Sequence, residues 1–211
     1  MKKKQAGSSS AAEANSHDPL GMERIVFFSD AVFAIAITLL ALEIRLPESE
    51  SLLDDRELFE QLTGVWHSYL GFFISFMVIG VFWMAHHRKF RLIKRFDSRL
   101  MMLNLLMLMV IAFIPFPSSL ISKYPGQTAT IFYALTMIVG ELLLGLIWWY
   151  ASWNNRLTDL DLKQRRRQFI NPIATSLVFV VSIGIAFVSP DIAKLSWFLI
   201  FPVSLAANRE R

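Results

Sequence analysis

Ser29 and Asp30 stand side by side in an otherwise apolar run, Ile25–Leu42, and two adjacent histidines, His86 and His87, close a second apolar run. Ser, His and Asp are the residue types of a nucleophilic triad, in which a base activates a hydroxyl and a carboxylate orients the base. The setting argues against that chemistry. No strand–turn–helix pattern surrounds Ser29, as a nucleophile elbow requires, and the site would open among helices at lipid depth. Adjacent histidines project about 100° apart on a helix, so His86 and His87 are poorly placed to face one metal ion. Cysteine is absent, which removes disulfides, thiolate metal sites and a cysteine nucleophile. The expectation is a protein that is not an enzyme and holds no resident cofactor.

An ionisable group inside an apolar span is costly unless paired, so each one asks for a partner. Arg24 precedes Asp30 by six residues. The second apolar run ends Trp83-Met84-Ala85-His86-His87, and the third opens with Asp97-Ser98-Arg99 and carries Asn104 further in. These groups share one depth. A hydrogen-bond network of Arg24, Ser29, Asp30, Trp83, His86 or His87, and Asn104 would satisfy them together. Such a network glues helices to one another; its further role would be to fix the first helix as a pore-lining element. Glu141 is a separate intramembrane charge, protonated or paired with a helix neighbour, and one carboxylate is weak support for a proton relay. Met101, Met102, Met107 and Met109 are read as packing or lipid-facing residues rather than a copper site.

The elements that carry these residues are apolar and long. The chain has 211 residues, 55% hydrophobic and only 18% charged, against about a quarter charged in soluble domains. Mean hydropathy is +0.47. Six apolar stretches can be marked: Ile25–Leu42, Val65–Ala85, Leu100–Leu120, Thr128–Tyr150, Phe169–Val188 and the short Ile192–Ala206. Each approaches the roughly 20 residues that cross a bilayer as helix, the sixth marginally. Pro115-Phe116-Pro117 is expected to end the third span early. The fold class is therefore an all-α membrane protein with six transmembrane helices. Residues 1–20 read as a disordered cytoplasmic tail, 21–207 as the membrane domain and 208–211 as a cytoplasmic C-terminus.

Alternating the spans places 17 Lys and Arg residues on one side and 4 on the other. The positive-inside rule then puts both termini in the cytoplasm of a multi-pass inner (plasma) membrane protein. It also accounts for the net charge of +4 without a nucleic-acid partner. The first outer loop is acidic, with Glu43, Glu48, Glu50, Asp54, Asp55, Glu57 and Glu60. That is either a solvated loop or a ring that concentrates cations. The aromatic cluster Trp148, Trp149, Tyr150 and Trp153 reads as an interfacial belt. No internal repeat is visible, so a symmetric pathway would have to come from oligomerisation.

Arg24-Ile25-Val26-Phe27-Phe28-Ser29-Asp30 resembles the R-x-x-x-F-S-D signature of the endolysosomal potassium channel family, also called the transmembrane protein 175 family. Trp83-Met84-Ala85-His86-His87, followed by Phe90, is similar to the W-x-x-H-H region of that family. Asp97, Asn104 and Pro115-Phe116 fit in the same order. The resemblance is clear over about residues 22–120 and continues by topology. A single six-span unit resembles the bacterial branch, whose members assemble as homotetramers. The resemblance implies a cation leak channel without the T-V-G-Y-G filter, which is missing here. It also implies a pore lined by the first helix of each subunit, with apolar constrictions and a Thr layer.

Helical phase is compatible with that expectation. Ala31, Ile35, Thr38, Leu42 and Arg45 share a stripe about 80° wide at about 100° per residue. Four copies around one axis would give rings of Ile35, Thr38 and Leu42. Thr38 hydroxyls could replace part of the hydration shell of K+, and the apolar rings could gate by dewetting. The plainer role for Thr38 is a bond to a carbonyl of its own helix. Asp30 lies about 80° from Thr38, which suits the network better than the pore. The expected function is a potassium-permeable, modestly selective channel whose partners are its own copies, membrane lipids and permeant K+. The alternatives are a proton-coupled secondary transporter using Asp30, His86 or Glu141, and a non-conducting membrane scaffold.

Overall fold

A computed structural model describes residues 19–48 and 52–209. Regular structure among them is entirely helical. Helix α1 runs Pro19–Leu39 and tightens into one 3-10 turn, Leu40–Glu43. A short outer helix, α2, spans Asp55–Gly64. Asp54 and Glu57 close its N-terminus as a reciprocal capping box, each side chain accepting from the other's backbone N–H. This satisfies donors that a helix start otherwise leaves open. Helix α3 spans Trp66–Phe90, α4 Ser98–Phe113, α5 Pro115–Lys123 and α6 Gln127–Ser152. Helix α7 spans Leu162–Ala186 and α8 Pro190–Ser196; after a 3-10 turn, Trp197–Leu199, α9 spans Ile200–Arg209. Asp97, Asp161 and Ser189 cap α4, α7 and α8 by accepting from backbone N–H groups three residues on.

Among the described residues, four segments are long and apolar enough to cross a membrane: Leu20–Glu43, Trp66–Phe90, Ser98–Lys123 and Gln127–Ser152. The chain is therefore a multi-pass helical membrane protein. The last two expected spans take a different form. The fifth lies in α7, whose N-terminal turns hold Lys163, Arg165 and Arg166, so its apolar part is the shorter Ile173–Ala186. The sixth is split into α8, the 3-10 turn and α9. Nor does Pro115-Phe116-Pro117 end the third span. Pro115 opens α5 directly after α4, and the pair runs on to Lys123. A proline in a first helical turn lacks only an N–H that would be unbonded there, so it restarts a helix as readily as it stops one. Pro19 and Leu20, placed in the expected tail, belong to α1, and residues 1–18 lie outside the described residues.

Helix α1 rests on α3 and α4; α4 packs on α6, and α6 runs along α7. Helix α9 returns to cover α3 and α7. The common core includes Phe33, Leu40, Ile79, Phe82, Met107, Ile111, Tyr133 and Leu144, all nearly or fully buried. Gly140 permits the approach of α3 to α6, because a Cβ there would sit 3.0 Å from the Phe82 ring. Buried hydroxyls pair across helices: the Tyr133 hydroxyl donates to Ser75 Oγ at 3.1 Å, and Ser75 meets Ser118 at 2.6 Å. Lys194 is buried at the start of the last segment, yet it is neutralised by Asp191 at 2.8 Å and donates to the Pro125 carbonyl at 3.2 Å. Its ammonium holds the Asp191 carboxyl below the usual carboxylate range.

Candidate pore face and the polar network behind it

Helix α1 has two unlike faces. Ser29, Phe33, Ala36 and Leu40, at helical spacing, are at most 1% exposed and dock against α3 and α4. Ala31, Ile35, Thr38, Leu42 and Arg45 lie on the other side and are exposed; Ile35 is 58% and Leu42 64% accessible. Within the first span's most apolar 18-residue window only 22% of residues are buried, against 44% for each of the other three. The chain thus leaves the greater part of an apolar helix uncovered.

Two details refine the exposed stripe. Thr38 Oγ1 donates to the Ile35 carbonyl at 2.9 Å. That bond uses the hydroxyl proton and leaves oxygen lone pairs free to accept, so the local bond and a cation-facing oxygen are compatible. Leu42 lies in the 3-10 turn rather than in α-helix. At three residues per turn, it is rotated by about 60° from the position a continued α-helix would give it. Nothing in the apolar pattern signals that tightening.

Behind the stripe, five of the predicted polar residues meet. The Trp83 indole N–H donates to Asp30 Oδ1 at 2.8 Å. Asn104 Nδ2 donates to Ser29 Oγ at 3.0 Å, and Ser29 donates onward to the Ile25 carbonyl at 2.8 Å. His86 Nε2 lies 3.0 Å from Asn104 Oδ1. Because that amide oxygen can only accept, His86 carries its proton on Nε2, which leaves Nδ1 bare; Nδ1 is buried and has no partner. The imidazole is stacked on Phe90 with centroids 4.1 Å apart and tilted against Phe33 at 5.5 Å. Helices α1, α3 and α4 are locked by this set, with Ser29, His86 and Asn104 all at most 2% exposed.

Two predicted members lie outside this chain of bonds. Arg24 is exposed and borders, with Phe28, Phe96, Met101 and Asn104, a groove of about 360 Å³. Six residues exceed one and a half helical turns, so Arg24 and Asp30 point to different sides. His87 is half-buried with its ring 5.6 Å from that of Trp83, so it packs on the indole rather than joining the chain of bonds.

A second polar seam has a weaker signal in the sequence. Lys89, counted there only as a cytoplasmic charge, is 1% exposed. Its Nζ donates to the Gln168 carbonyl at 2.9 Å and lies 5.6 Å from the centroid of the Trp148 ring. The cause is Pro172. Its nitrogen has no hydrogen to give to the carbonyl four residues back, which is that of Gln168, and Lys89 supplies the missing donor. Proline within an apolar run was the available signal. Trp148 reinforces the contact by donating to the Arg165 carbonyl at 3.1 Å. Lys89→Met is expected to strand that carbonyl and cost about 1–3 kcal/mol, seen as a lower unfolding midpoint in detergent; Lys89→Arg should retain part of the loss. An unchanged midpoint in Lys89→Met would refute this role.

The profile of the family described as the endosomal/lysosomal potassium channel TMEM175 matches residues 24–115. A potassium channel of Streptomyces collinus is 37% identical over 173 residues, covering 79% of this chain and 82% of the relative. A potassium channel of Chamaesiphon minutus is 35% identical over 182 residues, covering 78% of this chain and 89% of the relative. The crystal structure of a lysosomal potassium-selective channel TMEM175 homolog from Chamaesiphon minutus superposes with a TM-score of 0.77 at 30% identity, over 89% of this chain and 98% of that one. The matched segment holds the α1 stripe, the Asp30–Trp83 bond and the Ser29–Asn104–His86 chain. The chain belongs to the TMEM175 family.

Proposed function

We propose that this protein is a potassium-permeable channel in which α1 helices from four copies surround the conduction path. The uncovered apolar face of α1 carries this reading. A helix so poorly covered by its own chain must face lipid or other copies, and a lone Thr hydroxyl in that face favours the copies. Relatives named as potassium channels over most of their length support the same conclusion. The protein is a channel and not an enzyme. Residues 21–207 form the conducting unit, in the inner (plasma) membrane, with both termini cytoplasmic.

In this arrangement Ile35 forms the inner collar, Thr38 a ring of K+-facing oxygens about one turn further out, and Leu42 a collar at the outer mouth. Ala31 widens the cytoplasmic entrance. Few dipoles contact the ion, so potassium is favoured over sodium only modestly. The Asp30–Trp83 bond and the Ser29–Asn104–His86 chain fix the rotation of α1 so that Thr38 faces the axis.

Flux from purified protein in potassium-loaded liposomes tests the proposal, with valinomycin and sodium controls. Non-saturating potassium efflux with slower sodium movement is expected. Saturable, proton-driven uptake would overturn it in favour of a transporter. Absence of flux at verified insertion would favour a scaffold.

A further inference from the structure

We infer that the groove between α6 and α7 is a binding site for a neutral amphiphile bearing one hydroxyl, of the medium-chain alkanol type, with Glu141 as its polar anchor. The groove has a volume of about 530 Å³ and opens on the outer surface of the helix pair. Its walls are mainly apolar, formed by Leu142, Leu146, Trp149, Ile173, Leu177 and Val180, with Ser176 as a second polar side chain. Glu141 is 3% exposed. Thr175 hydrogen-bonds its carboxyl, but Oε2 is buried and has no partner. A buried carboxyl oxygen with no partner is costly and accepts a donor readily.

Space for such a molecule lies directly beside the anchor. Gly145 follows Glu141 by four residues, one turn along the same face of α6. A Cβ at Gly145 would meet nothing within 4 Å. The absent side chain leaves open space in the groove one turn from Glu141.

Depth sets the chemistry of the occupant. Glu141 lies eleven residues inside the Ser152 end of α6, about 16 Å at 1.5 Å per residue. A phospholipid headgroup stays at the surface of a hydrocarbon core about 30 Å thick, and a charged head pays heavily to enter it. A hydroxyl reaches this level at far smaller cost than a charge, and the cost is offset where a hydrogen-bond partner waits for it. It also serves both protonation states of Glu141, donating to a carboxylate and accepting from a carboxylic acid.

The test is photolabelling of the intact protein in liposomes with a diazirine-bearing octanol, read by peptide mass spectrometry. Adducts are expected to concentrate on the α6 and α7 peptides that hold Leu146 and Ile173, to saturate, and to be displaced by excess 1-octanol. Glu141→Leu should lower this labelling about tenfold, while Glu141→Gln, which keeps a polar anchor, should restore most of it. Gly145→Leu fills the groove while keeping the carboxyl and should lower labelling equally; it decides the matter if Glu141→Leu does not fold. Labelling spread evenly over outward-facing helices would overturn the inference, as would labelling unaffected by Glu141→Leu or by Gly145→Leu. The readout does not involve ion flux, so a failure here leaves the channel reading intact.

Discussion

Thr38→Ala is expected to bring the potassium-to-sodium permeability ratio down about fivefold, toward unity, while potassium flux persists. The argument rests on what the hydroxyl is bound to. Thr38 Oγ1 spends its proton on the Ile35 carbonyl, so its oxygen faces outward as an acceptor only. In the proposed pore, four such oxygens at one level would favour the more cheaply dehydrated cation. A net difference of about 1 kcal/mol, typical for one dipolar contact, corresponds to about fivefold in the ratio. Alanine removes the oxygen and enlarges the ring, so passage itself should not be lost. Thr38→Ser, which keeps the oxygen, separates the dipole from the methyl group and should hold the ratio near that of the native protein. Reversal potentials under bi-ionic conditions give the measurement. A ratio unchanged in Thr38→Ala would remove Thr38 from the selective step.

The multi-pass helical architecture was legible because apolar length is a strong signal in a membrane chain. The meeting of Ser29, Asn104 and His86 was legible for a related reason: polar groups at a common depth in apolar spans have few partners except one another. Three features escaped. Arg24 was grouped with Asp30 by depth alone, although their helical phases differ. Leu42 was assigned its phase on an unbroken α-helix, while the chain tightens at Leu40–Glu43. Lys89 was counted as a surface charge, yet the missing N–H of Pro172 draws it inside to Gln168. Each miss comes from backbone geometry or a tertiary partner, neither of which hydropathy contains. The last apolar segment shows the same limit, since composition alone does not reveal a helix interrupted at Trp197–Leu199.

Asn104→Leu is expected to be the most destabilising single substitution in the network. Asn104 is 2% exposed and serves two neighbours at once, accepting from His86 Nε2 and donating to Ser29 Oγ. Leucine matches its bulk and suits the apolar surroundings, so the loss is polar rather than steric. Its effect is to strand the His86 N–H in a site that water does not reach, with Ser29 losing its donor. At about 1–3 kcal/mol per unsatisfied buried group, the total is about 2–4 kcal/mol. For a chain of this size that lowers the unfolding midpoint by about 5–15 °C. The partner substitution supplies the control. His86→Phe preserves the ring that stacks on Phe90 while removing the stranded N–H. In that background Asn104→Leu should cost at least about 1 kcal/mol less than it does alone, because contacting residues are not additive. Strict additivity would mean that the Asn104–His86 bond contributes nothing and that packing alone holds α4 to α3. The same pair of variants bears on conduction. If this chain sets the rotation of α1, the double variant should regain stability yet still show altered selectivity, because Ser29 would no longer be tied to α4 and Thr38 would be free to turn from the axis.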